Sequence, residues 1–124
     1  MWISGYDFAH SLPKLRERKI FGICSAVDLS YKYPAEFEQI KFPLDDCESQ
    51  NITRIFDDAY KFIEEQRKKT NVLVHCAAGI SRSSATLISY MMRKYKMDYD
   101  TAYKTVKAKR SCIQPNSGFE RQLR

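Results

Sequence analysis

The segment with the clearest chemical potential is residues 72–84, VLVHCAAGISRSS. Residues 72–75 are typical of a short buried strand, residues 76–81 form a loop of mostly small residues, and Arg82 opens an amphipathic helix. A loop between a strand end and a helix N-terminus directs free backbone N–H groups and the positive end of the helix dipole towards one point. The segment therefore predicts a binding site for a tetrahedral anion such as phosphate.

Cys76 and Arg82 supply the reactive groups that phosphate chemistry needs. A sulfur facing amide N–H groups is favoured as the thiolate, which can attack phosphorus in line and form a phosphocysteine. The planar guanidinium of Arg82 can bind two phosphate oxygens, and Gly79 permits a positive φ or a close backbone approach. Ser83 or Ser84 is placed to hydrogen-bond the sulfur and help it leave. The predicted phosphate-binding residues are Ala77, Ala78, Gly79, Ile80, Ser81 and Arg82.

Simpler interpretations exist for the cysteine and for the histidine before it. An isolated cysteine is most often a small buried apolar residue. For Cys76 that interpretation requires the small residues, Gly79 and Arg82 to coincide by accident. His75, at a buried strand end, is expected to hold the loop by hydrogen bonding, because a proton donor must lie within about 3 Å of the leaving oxygen.

Strands alternating with helices surround this segment. Residues 20–29 and 37–42 are predicted as strands. Apolar residues at helical spacing predict three helices, which begin near Ile52, at Arg82 and after Asp98. Asp98 is predicted as the cap of the third helix. Residues 114–118 are predicted as a turn before a short final segment. This order predicts one α/β domain over residues 1–124, with a central sheet flanked by helices.

Composition excludes several classes of protein. With 44% hydrophobic and 29% charged residues, the chain is an ordinary globular domain. No apolar run approaches the ~20 residues of a membrane span, and the N-terminus lacks a signal-peptide pattern, so we expect no integral membrane segment and a cytoplasmic or nuclear location. The four cysteines include no C-x-x-C pair and there are two histidines. We therefore expect free thiols, no bound metal and no cofactor.

Positive charge is concentrated after the predicted loop. Residues 82–124 carry ten of the 21 basic side chains and three of the 15 acidic ones. Such a surface attracts anions, including phosphorylated proteins, phosphoinositides and nucleic acids, but by itself it selects none of them.

Two motifs resemble those of cysteine-dependent protein tyrosine phosphatases. Residues 75–83, HCAAGISRS, resemble the signature H-C-x-x-G-x-x-R-[ST] at every fixed position. Residues 78–83 also resemble the A-G-x-S-R-S pattern of the compact dual-specificity branch, whose later P-N-x-x-F element is matched by Pro115, Asn116 and Phe119. The resemblance covers nearly the whole chain. It implies the protein tyrosine phosphatase fold, with a phosphate-binding loop between a strand and a helix.

The resemblance also implies roles for individual residues. Cys76 resembles the nucleophile, Arg82 the phosphate-binding arginine, and Ser83 the hydroxyl that assists breakdown of the intermediate. Asn116 resembles a residue that supports the loop through hydrogen bonds. Ser25 or a neighbouring residue stands where relatives often have asparagine in the early strand, so a local contact there is open.

The general acid of the family is an aspartate upstream of the signature, in a loop before a helix. That loop contains Asp45 and Asp46, and chemistry alone does not choose between them. The spacing to Ile52 resembles the family pattern for Asp46, which we therefore predict as the general acid. No separate substrate-depth loop is apparent, which implies a shallow pocket that accepts phosphothreonine and phosphoserine beside phosphotyrosine.

These features predict a monomeric protein phosphatase that acts on phosphorylated proteins through a phosphocysteine intermediate. One alternative is a phosphoinositide or RNA 5′-phosphatase with the same chemistry. Lipid-directed relatives tend to place lysines in the loop and residues 77–81 carry none, which disfavours the lipid alternative, although the basic residues Lys104, Lys107, Lys109 and Arg110 keep it open. No nucleic acid is expected as a partner. Another alternative is an inactive phosphoprotein-binding module. Inactive relatives usually lack the cysteine or the arginine, and both are present here.

Overall fold

The computed structural model describes residues 1–28 and 31–124. Its strands form one parallel sheet in the order β1-β4-β2-β3. The strands are β1 (Trp2–Ser4), β2 (Ile20–Ser25), β3 (Glu38–Lys41) and β4 (Asn71–His75). In the central strand β4, every residue after Asn71 is buried, as expected for a parallel sheet that is covered on both faces.

Helices connect the strands and cover the sheet. They are α1 (Tyr6–Ala9), α2 (Leu12–Glu17), α3 (Phe56–Arg67), α4 (Arg82–Tyr95), α5 (Tyr99–Lys109) and α6 (Ser117–Leu123). A 3-10 turn, Thr53–Ile55, leads into α3. The Asp98 side chain accepts a hydrogen bond from the Thr101 N–H at 2.8 Å, so the predicted cap of α5 is confirmed. No helix within the described residues is long and apolar enough to cross a membrane.

Alternating side chains of the central strands form two apolar cores. Val72 and Val74 of β4 and Cys24 of β2 belong to a large cluster with residues of α3 to α6. Leu73 and Ile23 point to the opposite face and join a smaller cluster with residues of α1 and α2. The sheet is therefore held from both sides, and its strand ends have fixed positions.

The carboxyl ends of three strands lie side by side. His75 of β4 is in register with Ser4 of β1 and with Ser25 of β2. Ligands of open parallel sheets bind at this edge, where the chain leaves each strand. The segment after His75, which carries Cys76, therefore begins at the edge where a site is expected.

The structure corrects several of the predicted boundaries. The strand predicted over residues 20–29 ends at Ser25, because its partner β4 ends opposite it at His75; Leu29 lies outside the described residues. The predicted turn at 114–118 is partly helical, since α6 begins at Ser117. Gly118 is a weak helix former and hides this start from a sequence pattern. β1, α1 and α2 were not predicted, because each is too short to show a period.

Candidate active site

The loop between β4 and α4 points its carbonyl groups outwards. Five consecutive carbonyl oxygens, those of residues 77–81, each accept a hydrogen bond from the surrounding structure. The donors are Tyr6 N–H to Ala77 at 2.8 Å, the Arg110 guanidinium to Ala78 and Gly79 at 3.2 and 2.9 Å, Gln114 N–H to Ile80 at 2.8 Å and Ala85 N–H to Ser81 at 2.9 Å. The outer side of the loop is therefore fixed by α1, α4 and the α5–α6 connection.

The amide groups of the same loop consequently face its centre. The C=O and N–H of a planar peptide point in opposite directions, so five outward carbonyls orient the N–H groups that follow them inwards. The Gly79 N–H donates to Cys76 Sγ at 3.3 Å. Within the described residues, the N–H groups of the other loop positions have no protein acceptor; they belong to Ala77, Ala78, Ile80, Ser81 and Arg82. This set of donors is suited to an anion.

Gly79 is required by the curvature of the loop. Its φ is +71°, in the left-handed region that side chains disfavour. A Cβ at this position would meet Gly5 N at 2.5 Å and the Ser4 backbone at 2.6 Å. The loop therefore packs against the end of β1 at a distance that only glycine allows.

Cys76 Sγ lies at the base of the loop. The residue is 1% exposed, and its sulfur is 3.2 Å from Ser83 Oγ, which can accept from a thiol or donate to a thiolate. Ser84 instead lies with its hydroxyl 2.6 Å from Ile80 O. Of the two serines that the sequence left open, the structure places Ser83 against the sulfur and Ser84 against the loop backbone.

The remaining cysteines have different surroundings. Cys24 is fully buried in the apolar core, and burial raises the pKa of its thiol to about 12. It therefore stays a neutral thiol at physiological pH. Cys47 and Cys112 are exposed and are not part of the loop. Only Cys76, among the four, contacts a loop N–H group.

Arg82 connects the loop to the segment that carries the candidate acids. Its Nη1 donates to the backbone oxygen of Leu44 at 3.1 Å. Its Nε is buried and has no hydrogen-bond partner within the part of the chain that the structure describes. Because a buried N–H without a partner is costly, a phosphate oxygen at this position would stabilise the site.

His75 lies behind the loop. Its Nε2 is 2.6 Å from Ser25 Oγ, which also accepts from Gln39 Nε2 at 3.0 Å, and its Nδ1 is 3.4 Å from Cys76 O. Because the Cys76 carbonyl oxygen can only accept, the ring proton is assigned to Nδ1, and the Ser25 hydroxyl then donates to Nε2. The histidine thus bridges β2 and the start of the loop, an arrangement consistent with the predicted supporting role.

Burial at this position lowers the pKa of His75 from 6.5 to about 4. Because the unfolded chain takes up the proton first, acid should destabilise the folded state, with stability lost as the pH falls from about 6.5 to about 4. The expected loss from this residue is about 2 kcal/mol between pH 7 and pH 5. The free energy of unfolding, measured with urea at pH 7 and pH 5, should differ less between the two pH values for His75→Gln than for the wild type. Equal losses in both proteins would contradict this assignment.

Asn116 links the candidate acid to the phosphate loop. Its Nδ2 donates to Asp46 Oδ1 at 3.0 Å, and its backbone N–H donates to Ser81 Oγ at 3.0 Å. Its Oδ1 caps α6 by accepting from the Phe119 N–H at 2.9 Å. The Asp45 carboxylate has no partner within residues 1–28 and 31–124, and only its backbone is held. The structure therefore connects Asp46, and not Asp45, to the loop.

Helix α6 also holds the rest of the acid-bearing segment. Gln122 donates to Gln50 O at 2.9 Å and accepts from the Ile52 N–H at 2.7 Å. Ser117 bonds to Glu48, and a Cβ on Gly118 would collide with the Glu48 backbone. The role of α6 in holding the acid-bearing segment was not predicted from the sequence. Its only signal was the three-residue spacing of Asn116, Phe119 and Gln122, which a helix aligns.

Two further contacts of the site were also missed. Arg110 was counted only as part of a basic surface, although its guanidinium binds two loop carbonyls. Ser25 and Gln39 were not recognised as partners of His75. The described residues contain no group of three or more His, Cys, Asp or Glu side chains that could hold a metal ion.

A buried cysteine in a ring of amides, with an arginine at the following helix N-terminus, defines the site class of cysteine-dependent phosphatases. The family described as dual specificity phosphatase, catalytic domain, matches residues 3–124. The chain belongs to this family. The family resemblance seen in the sequence and the predicted enzyme class, a protein phosphatase, are thereby confirmed.

Relatives and solved structures agree with this membership. Dual specificity protein phosphatase 22 of Homo sapiens is 37% identical over 99% of this chain and 67% of its own length. Dual specificity protein phosphatase 7 of Homo sapiens is 39% identical over 90% of this chain but 27% of its own length. A crystal structure of DUSP15 has a TM-score of 0.93 at 29% identity, covering 98% of this chain and 78% of that chain.

A second solved structure carries a different description. It is the human tyrosine phosphatase-like serine/threonine/tyrosine-interacting protein, with a TM-score of 0.89 at 33% identity, covering 98% of this chain and 86% of that chain. Together these structures confirm the predicted phosphatase fold. The roles assigned to individual residues remain predictions.

Proposed function

We propose that this domain hydrolyses phosphotyrosine, and also phosphothreonine and phosphoserine, on proteins through a phosphocysteine on Cys76. The observation that carries the proposal is the ring of inward N–H groups around the Cys76 sulfur, with a buried, unpartnered Arg82 Nε beside it. Such a ring stabilises the charge on the equatorial oxygens of a phosphoryl group during transfer. The substrate range and the residue roles are part of the proposal.

The first step forms the bond between sulfur and phosphorus. The Cys76 thiolate attacks in line, the bond from phosphorus to the substrate oxygen breaks, and Asp46 protonates that oxygen as it leaves. The Asn116 contact places the Asp46 carboxyl group beside the loop. Arg82 and the loop amides hold the remaining phosphate oxygens.

The second step hydrolyses the phosphocysteine. Asp46, now a carboxylate, takes a proton from water as the water oxygen attacks phosphorus, and the bond between phosphorus and sulfur breaks. The Ser83 hydroxyl, 3.2 Å from Cys76 Sγ, donates a hydrogen bond to the departing thiolate. Orthophosphate leaves and the enzyme returns to its starting state.

The surface position of the loop supports a broad range of phosphorylated side chains. Ala77 and Ala78 are exposed and small, and Ile80 is 38% exposed. A loop so close to the surface can be reached by the short side chains of phosphothreonine and phosphoserine as well as by phosphotyrosine.

One chain supplies every residue invoked in the reaction, so a monomer is sufficient.

Phosphate release from a set of substrates tests this function. Phosphopeptides carrying each of the three residues should be hydrolysed faster than phosphoinositide vesicles or triphosphate-ended RNA. The expectation follows from the absence of lysine between Cys76 and Arg82. Faster hydrolysis of lipid or RNA would overturn the substrate assignment. Phosphopeptide binding without hydrolysis would instead identify an inactive binding module.

A further inference from the structure

Arg110 contacts the phosphate loop from its outer side. This residue follows α5 directly, and its guanidinium donates from Nε to Gly79 O at 2.9 Å and from Nη2 to Ala78 O at 3.2 Å. The fork of the guanidinium thus spans two successive carbonyl groups, which the single ammonium of a lysine cannot do with the same geometry.

The two peptides that Arg110 contacts are those on either side of Gly79. A glycine populates positive and negative φ with similar ease, so its flanking peptides rotate more freely than others. Rotation of the Ala78–Gly79 peptide would remove the N–H from Cys76 Sγ and direct a carbonyl oxygen there instead. Rotation of the next peptide would reverse the Ile80 N–H in the same way. Either change would place a partial negative charge where the phosphate binds.

We propose that Arg110 is a positioning residue that holds the two peptides flanking Gly79 with their N–H groups directed at the Cys76 sulfur and the bound phosphate. The inference rests on the proposed phosphatase function. It assigns Arg110 a role through the loop, with no contact to the reacting atoms.

The surroundings of Arg110 suit this role. Its backbone N–H donates to Val106 O at 3.1 Å, which ties it to the last turn of α5, and its own carbonyl accepts from the Ile113 N–H at 3.3 Å. The neighbouring Gln114 N–H donates to Ile80 O at 2.8 Å. The α5–α6 connection therefore runs along the outer side of the loop and fixes three of its carbonyl groups.

A direct substrate contact is the rival explanation. Arg110 also borders a cleft of about 430 Å³ beside the loop, lined by residues that include Tyr6 and Asp7. A substrate group in this cleft would meet the positive charge of Arg110. The two roles have different consequences. A direct substrate contact depends on the positive charge alone, and it affects only substrates large enough to reach the cleft.

Three variants separate these roles. Arg110→Ala removes the fork and the charge, Arg110→Lys keeps the charge, and Lys109→Ala is a matched control that removes one charge from the adjacent position. Lys109 makes no contact with the loop within the described residues. Each variant is assayed with a small aryl phosphate and a phosphopeptide, for inhibition by orthovanadate, and for the rate of Cys76 alkylation by iodoacetamide. Melting temperatures show whether each variant is folded.

For Arg110→Ala we expect kcat/KM to fall roughly tenfold to a hundredfold, equally for both substrates. Orthovanadate should bind more weakly by a similar factor, and Cys76 should be alkylated more slowly. Arg110→Lys should recover only part of the lost kcat/KM. If Arg110→Ala does not fold, the lysine variant alone distinguishes loop positioning from substrate contact. Lys109→Ala should match the wild type.

Other outcomes would overturn the inference. Full recovery in Arg110→Lys, or a defect confined to the phosphopeptide, would assign Arg110 to substrate contact. If Arg110→Ala turns over the aryl phosphate within about twofold of the rate of Lys109→Ala, Arg110 has no role in positioning the loop. In both cases an active wild type leaves the proposed function intact. An inactive wild type with normal orthovanadate binding would count against the function and not against the loop geometry.

Discussion

Replacing Cys76 by serine should reduce turnover of every phosphorylated substrate by at least roughly 10³-fold. A serine hydroxyl at this position is not ionised at neutral pH and is a far weaker nucleophile than a thiolate. The ring of amides and Arg82 do not depend on the sulfur for their positions, because the loop carbonyls are held from outside. Binding of a phosphopeptide to Cys76→Ser should therefore remain within a few-fold of the wild type.

Controls for this prediction are the exposed cysteines. Cys47→Ser and Cys112→Ser each remove a thiol outside the loop and should retain wild-type turnover. Single-turnover kinetics and calorimetric titration with a phosphopeptide measure the two quantities separately. Near-wild-type hydrolysis by Cys76→Ser would place the nucleophile elsewhere. Loss of binding together with turnover would mean that the sulfur organises the loop.

Replacing Asp46 by asparagine should lower kcat roughly 10²-fold or more for phosphopeptides. The alkoxide of serine or threonine is a poor leaving group and needs a proton as the bond to phosphorus breaks. An activated aryl phosphate leaves without that proton, so its kcat should fall by less than about tenfold. Comparing the two substrates with the same variant isolates proton donation from any general damage to the site.

Asp45→Asn is the matched control for this substitution, with the same chemical change one residue away. The Asp45 side chain is exposed and has no partner within the described residues, whereas Asp46 accepts from Asn116. We therefore expect Asp45→Asn to resemble the wild type with both substrates. If it shows the substrate-dependent loss instead, the general acid is Asp45. If neither variant does, the proton comes from another group.

The phosphate loop is the part of the molecule that the sequence predicted best. Its elements are continuous in the chain, so the strand, the loop and the opening of α4 at Arg82 could be read from residues 72–84 alone. The requirement for glycine at position 79 was also anticipated. Its physical cause, the Ser4 backbone 2.6 Å from a Cβ at position 79, involves β1, which was not predicted.

Beyond His75 and Asn116, the supports of the loop could not be predicted, because they come from distant parts of the chain. Arg110 lies 31 residues from Gly79, and Gln122 lies 72 residues from Gln50. A hydrophobic period places such residues on a helix but does not say which strand end or loop that helix meets. Asp46 was chosen over Asp45 only through the family resemblance, because the contact that distinguishes them, from Asn116, spans 70 residues.

Detection of the covalent intermediate tests the central claim most directly. Ser83→Ala should slow breakdown of a phosphocysteine, because the departing sulfur loses its hydrogen-bond donor. Mixing this variant with a phosphotyrosine peptide, quenching during turnover and mapping the peptides by mass spectrometry should find phosphate on Cys76. Continued turnover with no phosphate on Cys76, or with phosphate on another residue, would contradict the account.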